Sequence, residues 1–308
     1  MKYYLAPLEG ITTFVYRNAV HRIFGDGVDK YYTPFFSPNT KRHKSSFAIR
    51  GVLPENNEGI CLIPQILTND ADDFLKWEKD MTALGYTELN INIGCPSGTV
   101  VSKNRGAGFL RYPERIDEFL EKVFEKTKCQ VSVKTRLGMS DPEEFDRLLE
   151  VYNKYQMEEL IIHARTGDEM YSGKPHRDEF DKAARNSRNP VVYNGDIIRA
   201  TDVDELCHMD MMNGIMIGRG MIADPSLVRQ LRGGAKMSAD ELRDFLKLLR
   251  TEYLCYDPDE NHTLAKLKEV WTYLQKQFPD YPKETKKLLK SNTLEEYRVC
   301  AQQLCRML

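Results

Sequence analysis

The chain has 308 residues, 41% of them hydrophobic, and a formal net charge of -2. That length suits one large domain of about 250 residues plus an appendage, and the near-neutral total excludes a polycation, so any nucleic-acid contact has to come from a local patch. The cysteines number seven, with no Cys-x-x-Cys pair, no leader sequence before them and no apolar run of membrane-spanning length, so reduced thiols in a soluble cytoplasmic protein are expected, without a disulfide or zinc framework.

Residues 2–6 read as a first strand, ending in Pro7-Leu8-Glu9-Gly10, with a helix over 12–24 after it. A second short strand covers 30–33, and a long basic loop runs through Lys41-Arg42-His43-Lys44. The third strand is 61–65; Asn69 is the expected cap of a helix to about residue 84, with Asp70, Asp72 and Asp73 suiting its N-terminal dipole. The fourth strand is the most informative stretch: in Glu88-Leu89-Asn90-Ile91-Asn92-Ile93 the apolar residues point one way and the amides the other. It stops at Gly94-Cys95-Pro96, where glycine permits unusual dihedrals and proline ends the ladder, leaving Cys95 at a strand end on a bend. A buried small cysteine is the ordinary fate of such a residue; two inward amides beside a thiol also suit a site.

A glycine-bearing loop over 102–108 leads to a helix over 113–127, a fifth strand over 130–135, and a helix over 142–155 capped by Asp141. Strands six, seven and eight fall at 159–163, 190–194 and 214–217, with a helix over 201–208 between the last two and Gly218-Arg219-Gly220 at the end. Eight short strands alternating with helices make the pattern of an α/β TIM (β/α)8 barrel. A doubly wound open sheet is the rival, and the absence of a GxGxxG turn after the first strand counts against it. Beyond about Gly234 only helical patterns remain: a capping box at Ser238 to Glu241 opens a helix to about 256, and further helices are expected over 263–278, 282–290 and 294–307. The division expected is a barrel over 1–234 and a small C-terminal all-α helical domain over 235–308. The lysine-rich stretch over 283–290 reads as an ordinary solvated helix face.

In such a barrel the chemistry comes from the C-terminal ends of different strands. Gln65 ends strand three, Asn92 and Cys95 strand four, Lys134 and Arg136 strand five, His163 and Arg165 strand six, and Asn194, Gly195 and Asp196 strand seven. Each has a plain structural reading, but that reading has to be repeated at every strand end. The glycines of Asn194-Gly195-Asp196 and Gly218-Arg219-Gly220 lie where barrels commonly hold phosphate, with Arg219 to reinforce the backbone. No zinc spacing, HExxH or GxSxG occurs, so neither a metal site nor a serine hydrolase is expected.

Taken together, the chain resembles the tRNA-dihydrouridine synthase family. The matching pieces are Ala6-Pro7-Leu8-Glu9-Gly10, Gln65, the 90–96 segment, Gly106-Ala107-Gly108, Lys134-Thr135-Arg136-Leu137-Gly138, His163-Ala164-Arg165-Thr166, Asn194-Gly195-Asp196-Ile197 and Gly218-Arg219-Gly220, in the family's order. The resemblance implies an FMN-binding barrel with a helical tRNA-binding domain, reducing the C5–C6 bond of uridine in tRNA with NADPH as reductant. It implies Cys95 as general acid to C5, since a thiol with an ordinary pKa of about 8.5 is mostly protonated at neutral pH. Ala6, Pro7, Leu8, Gln65, Lys134, His163, Asn194, Gly195, Asp196, Gly218 and Arg219 would serve the cofactor. Asn92, Lys103, Arg105, Arg136 and Arg165 would serve the substrate. Lys41, Arg42, Lys44 and Lys174 would join those cations as a positive rim. The surroundings of Tyr171-Ser172-Gly173, and the stretch Met221 to Pro225, depart from the family's usual pattern. A monomer with tRNA as partner is expected; a dihydroorotate dehydrogenase-type flavin barrel and a non-catalytic tRNA-binding relative are the alternatives. The uridine position and the choice between NADPH and NADH stay open.

Overall fold

A computed structural model describes residues 1–25, 27–43, 46–206 and 211–308. The strands are β1 (Lys2–Leu5), β2 (Lys30–Tyr32), β3 (Leu62–Ile63), β4 (Gln65–Ile66), β5 (Glu88–Ile93), β6 (Gln130–Arg136), β7 (Leu160–His163), β8 (Val191–Asn194) and β9 (Met212–Ile217). They form one parallel sheet in the order β3-β2-β1-β9-β8-β7-β6-β5-β4. Its two ends, β3 and β4, are separated in the chain by Pro64 alone. Proline has no N–H to give the ladder, yet its carbonyl accepts the Asn90 N–H at 2.9 Å. Thus β3 and β4 are two pieces of one strand, paired to β2 on one side and β5 on the other. The sheet closes on itself: a TIM barrel, with the open doubly wound sheet excluded.

Helices α1 (Phe14–Phe24), α2 (Phe47–Arg50), α3 (Ala71–Thr82), α4 (Gly98–Val101), α5 (Pro113–Lys126), α6 (Phe145–Tyr152), α7 (Arg177–Asn186), α8 (Arg219–Ala223) and α9 (Leu227–Leu231) accompany the strands. The tail is α10 (Ala239–Tyr256), α11 (Glu260–Leu274), α12 (Pro282–Leu289) and α13 (Leu294–Cys305). The cap of α3 is Asp70, one residue beyond the expected Asn69: its carboxylate accepts the Asp72 and Asp73 N–H groups. Asp141 caps the turn opening α6, and Ser238 with Glu241 forms a capping box at α10, both as expected. The segment after β8 is a 3-10 turn over Ala200–Leu206; His208, the expected helix end, lies outside the described residues.

Two cores result. Tyr4, Ala6, Tyr32, Ile63, Ile161, Val192 and Met216 pack inside the barrel, and a larger layer lies between strands and helices. That outer layer runs without a break into the tail. Phe245 of α10 meets Tyr16 and Phe24 of α1 edge-on or tilted, and Tyr256 meets Phe14. Tyr253 shares a hydrogen bond of 3.0 Å with Thr13. Phe245 has no exposed surface. Phe245→Ala is therefore expected to cost about 3–5 kcal/mol and, because one core spans both parts, to lower a single urea transition seen alike by tryptophan fluorescence and far-UV circular dichroism. Two separated transitions in the wild type would contradict the shared core.

Candidate active site

Alternation along β5 sends Leu89, Ile91 and Ile93 into the outer core and Glu88, Asn90 and Asn92 inward. The Asn92 Oδ1 accepts the Gly94 and Cys95 N–H groups at 3.0 and 2.8 Å. Its Nδ2 donates to Gln65 Oε1 at 2.8 Å, and Gln65 Nε2 donates to Asn90 Oδ1 at 2.8 Å. Cys95 is clamped from the other side as well: its carbonyl accepts the Ala107 N–H at 2.9 Å. Gly106, at φ +54°, lies so close that a Cβ there would stand 2.6 Å from the Cys95 carbonyl oxygen. The thiol is half-buried, and burial pushes its pKa up. Glu9 adds to that, while the Ser97 N–H, Arg136 and Lys134 pull against it without reversing the shift. It is a protonated thiol at neutral pH.

On β6, Val131 and Val133 face out, and Lys134 and Arg136 stand at the barrel's mouth as their spacing requires. Lys134 donates to Asn194 Oδ1 at 3.0 Å. Burial, with Arg136 nearby, brings its pKa down to about 7. Arg136 is fully buried, its Nε bonded to the Gly94 carbonyl and its Nη1 to that of Thr166, both at 2.7 Å. His163 is held far below the ordinary imidazole range by burial and by Arg136, Lys134, Arg165 and Arg219. It is neutral, and its Nε2, 3.3 Å from Arg165 Nη1, is the acceptor, which assigns its proton to Nδ1.

Asp196 is the hub of the next layer. Burial alone would raise its pKa, but Arg165 and Arg219 outweigh that and hold it below the usual carboxylate range. Arg219 donates to its Oδ1 at 2.5 Å, and Arg165 Nη2 pairs with its Oδ2. Arg165 also donates to the carbonyls of Ser172 and Gly173 at 2.8 and 2.7 Å. Beside Asp196, the first N–H groups of α8 follow Gly218. Gly220 is required by contact: a Cβ there would lie 1.9 Å from the Ile197 carbonyl oxygen.

These groups line one cavity of about 410 Å³ at the barrel's mouth, within the roughly 300–1,000 Å³ range of small-molecule and cofactor sites. Ala6, Pro7, Leu8, Gln65, Asn92, Cys95, Lys134, Arg136, His163, Asn194, Gly195, Asp196, Gly218 and Arg219 are all in its wall. Lys103, Arg105 and Arg165 are not. Asn69 ties the 103–105 loop, donating to the Asn104 carbonyl at 3.1 Å and accepting from Arg105 Nε at 3.3 Å.

The positive rim read from the sequence needs correction. Arg165 and Arg136 are buried among carbonyls. Arg42 lies over the Trp77 ring, 3.9 Å from its centroid, and pairs with Asp80. Lys44 lies outside the described residues. Partners that charge alone does not announce take Arg136 and Arg165 inside, while Lys41, Lys103 and Lys174 are exposed as the rim requires and Arg105 is half-buried.

The sequence reading missed Glu9, Phe35, Tyr171 and Tyr273 as wall residues. Tyr171 had a signal in its Tyr-x-Gly setting; its ring is exposed between Arg136 and Arg219. Tyr273 had none, because α11 reaches the mouth only through the docking of the tail. Among the described residues no group of His, Cys, Asp or Glu is arranged to hold a metal, and no helix is long and apolar enough to cross a membrane.

The Dihydrouridine synthase family model matches residues 4–304. A probable tRNA-dihydrouridine synthase of Staphylococcus epidermidis is 28% identical over 273 residues, covering 87% of this chain and 82% of that protein. Probable tRNA-dihydrouridine synthase 2 of Bacillus subtilis is 30% identical over 258 residues, covering 81% and 78%. Among solved structures, N-(5'-phosphoribosyl)anthranilate isomerase from Pyrococcus furiosus overlaps at a TM-score of 0.44 with 18% identity, covering 75% of this chain and 96% of that one, too loose a match to bear on the site.

The Lys134 amine carries a consequence for stability. Between its folded value of about 7 and its ordinary value of about 10.4, the unfolded chain binds a proton that the folded chain lacks. Folding is therefore opposed by a penalty that grows as pH falls through that window and is constant below it. Lys134→Met is expected to make the protein more stable in urea melts, by about 3–4 kcal/mol near pH 7 (about 1.4 kcal/mol per pKa unit, less the lost hydrogen bond to Asn194), with the gain vanishing above about pH 10. A gain that grew with pH would contradict the buried, depressed amine.

Proposed function

The chain belongs to the dihydrouridine synthase family, and from that premise we propose that it reduces the C5–C6 bond of uridines in tRNA, with FMN held at the barrel's mouth and NADPH as reductant. The observation that carries the reading is Cys95: a protonated thiol, clamped at a strand end, in the same wall as Lys134, Gln65, Asn92 and the Gly218 turn.

The donor set suits a flavin mononucleotide. Gln65 offers both an amide donor and an acceptor to the ring's amide edge, and Ala6, Pro7 and Leu8 give a largely apolar wall. Lys134, whose polar partner is the neutral Asn194 amide, suits an electron-rich ring edge that would restore its charge. Asn194, Gly195, Gly218 and Arg219 suit a phosphate, with Asp196 orienting Arg219 rather than touching the anion. Held by these residues, FMN would supply hydride chemistry toward C6 of the uracil.

The chain's own part is the proton. Cys95 gives it to C5, and the thiolate left behind sits near Arg136 and Lys134, both of which favour its charge. Neutral His163 is available to donate from Nδ1 without adding a charge to the pocket. Asn92 and Arg136 face the reacting layer, and Lys103 and Arg105 meet the RNA outside it. Arg165 acts through its neighbours, holding Asp196 and the 172–173 loop. Residues 1–234 form the catalytic unit and 235–308 the tRNA-binding unit. A uridine leaves its stack to reach such a depth, and a cytoplasmic location follows from the substrate.

The purified protein is expected to be yellow and to oxidise NADPH in the presence of unmodified tRNA, with dihydrouridine appearing in that RNA by mass spectrometry. Equal turnover with free dihydroorotate-like compounds and none with tRNA would overturn the assignment. Cys95→Ala should keep FMN and tRNA affinities within about twofold while slowing dihydrouridine formation 10²–10⁴-fold, on the order expected for a lost general acid. Unchanged turnover would remove Cys95 from that role.

A further inference from the structure

A chain of hydrogen bonds crosses the barrel interior from mouth to floor. Below Asn92, Gln65 and Asn90, it continues from Asn90 Nδ2 to Ser132 Oγ at 2.9 Å and from Ser132 Oγ to Glu88 Oε1 at 3.0 Å. The other Glu88 oxygen accepts from Lys30 Nζ at 2.7 Å, and Lys30 reaches Glu159 at 3.1 Å. Asn90 and Ser132 have no exposed surface, and Glu88 is buried.

A primary amide turned by 180° keeps its shape but exchanges donor for acceptor. The two ends of this chain remove that freedom. At the mouth, the Gly94 and Cys95 N–H groups need an oxygen, so Asn92 turns Oδ1 to them and points Nδ2 at Gln65. At the floor, the Glu88 carboxylate only accepts. The Ser132 hydroxyl therefore donates to it, Asn90 turns Nδ2 to Ser132, and Asn90 Oδ1 is left for Gln65. The Tyr32 hydroxyl lies beside Ser132, but the carboxylate is the stronger acceptor. Both ends demand the same order, and they meet at Gln65.

We propose that Asn90, Ser132 and Glu88 are positioning residues, which fix the order of donor and acceptor that Gln65 and Asn92 present to the ligand. Gln65 keeps one N–H and one lone pair beyond the chain, and Asn92 one N–H. Held in this sense, they match a planar edge with a carbonyl beside an N–H and reject its reverse. The ligand's identity as FMN rests on the function proposed above; the relay itself does not.

The test measures FMN affinity of the apoprotein by fluorescence titration. Asn90→Leu, which cannot accept from Gln65, is expected to weaken FMN binding on the order of tenfold, the effect of one buried hydrogen bond of about 1.4 kcal/mol. Ser132→Ala should weaken it severalfold. Glu88→Gln has one acceptor oxygen where the carboxylate has two; Lys30 claims it and the amide N–H turns to Ser132, so this variant too should bind FMN severalfold more weakly. Wild-type affinity in both Asn90→Leu and Ser132→Ala would overturn the proposal. A second measurement needs neither a variant nor a flavin: the Gln65 side-chain amide protons of the wild-type apoprotein should give two resolved, slowly exchanging NMR signals, and averaged, fast-exchanging ones would overturn it. A wild type that binds no FMN but shows the protected Gln65 amide would instead remove the flavin and leave the relay standing.

Discussion

Every second residue of a barrel strand points into a space that water does not freely fill, so each polar group placed there has to find a partner. In this chain that constraint is met by one connected path. It begins at the backbone of Cys95, passes through three amides and a hydroxyl, and ends on the Glu88–Lys30–Glu159 floor. Tyr4 closes it by donating to Glu159. The position of the thiol is therefore set by strands and by groups a whole barrel height away as well as by its own loop. Arg136, bonded to the Gly94 carbonyl, and Gly106, packed on Cys95, hold the same bend from the outside.

The charges at the mouth follow a related logic. Two guanidinium groups, Arg165 and Arg219, share one carboxylate, Asp196. Among the described residues, Lys134 has only a neutral amide as its hydrogen-bond partner, and Arg136 only carbonyls. Such a lining carries more positive than negative charge, and burial makes each uncompensated cation unfavourable, as the lowered pKa of Lys134 shows. The flavin proposed above would relieve that strain twice, with its phosphate near Arg219 and an electron-rich ring edge near Lys134. The same arrangement keeps His163 neutral, so the imidazole serves as a hydrogen-bonding group and not as a further cation.

Much of this was legible in the sequence because the barrel writes a short-range code. The period of two along 88–93 and the spacing of Lys134 and Arg136 place side chains on faces without any knowledge of the neighbours. What failed was whatever depended on partners far away. Asn69 looked like the cap of α3, but Asp70 takes that place and Asn69 turns to the 103–105 loop instead. α7, Arg177–Asn186, was not foreseen: its only buried residues are Phe180, Ala183 and Ala184, too few to stand out in a charged stretch. Arg165 read as a cation of the mouth and the substrate pocket, but the sequence does not announce Asp196 or the Ser172 and Gly173 carbonyls as the partners that bury it. The split at Pro64 is a different case, since a missing N–H interrupts the ladder without moving the strand.

The tail shows why a boundary drawn from helical patterns alone does not describe the working surface. α10 is stapled to α1 by aromatic contacts, and Lys266 of α11 donates to the Gly10 carbonyl at 3.1 Å, in the loop that carries Pro7, Leu8 and Glu9. That loop and Tyr273 are both walls of the cavity at the barrel's mouth. A shift of α11 against the barrel would therefore change the outer shape of the tail and the inner shape of the cavity together. If the tail grips the body of an RNA while the cavity receives one base, the distance between grip and base is set by this docking. It is set by packed rings and a half-buried hydrogen bond rather than by a linker, so reach along the RNA becomes a property of the folded chain itself.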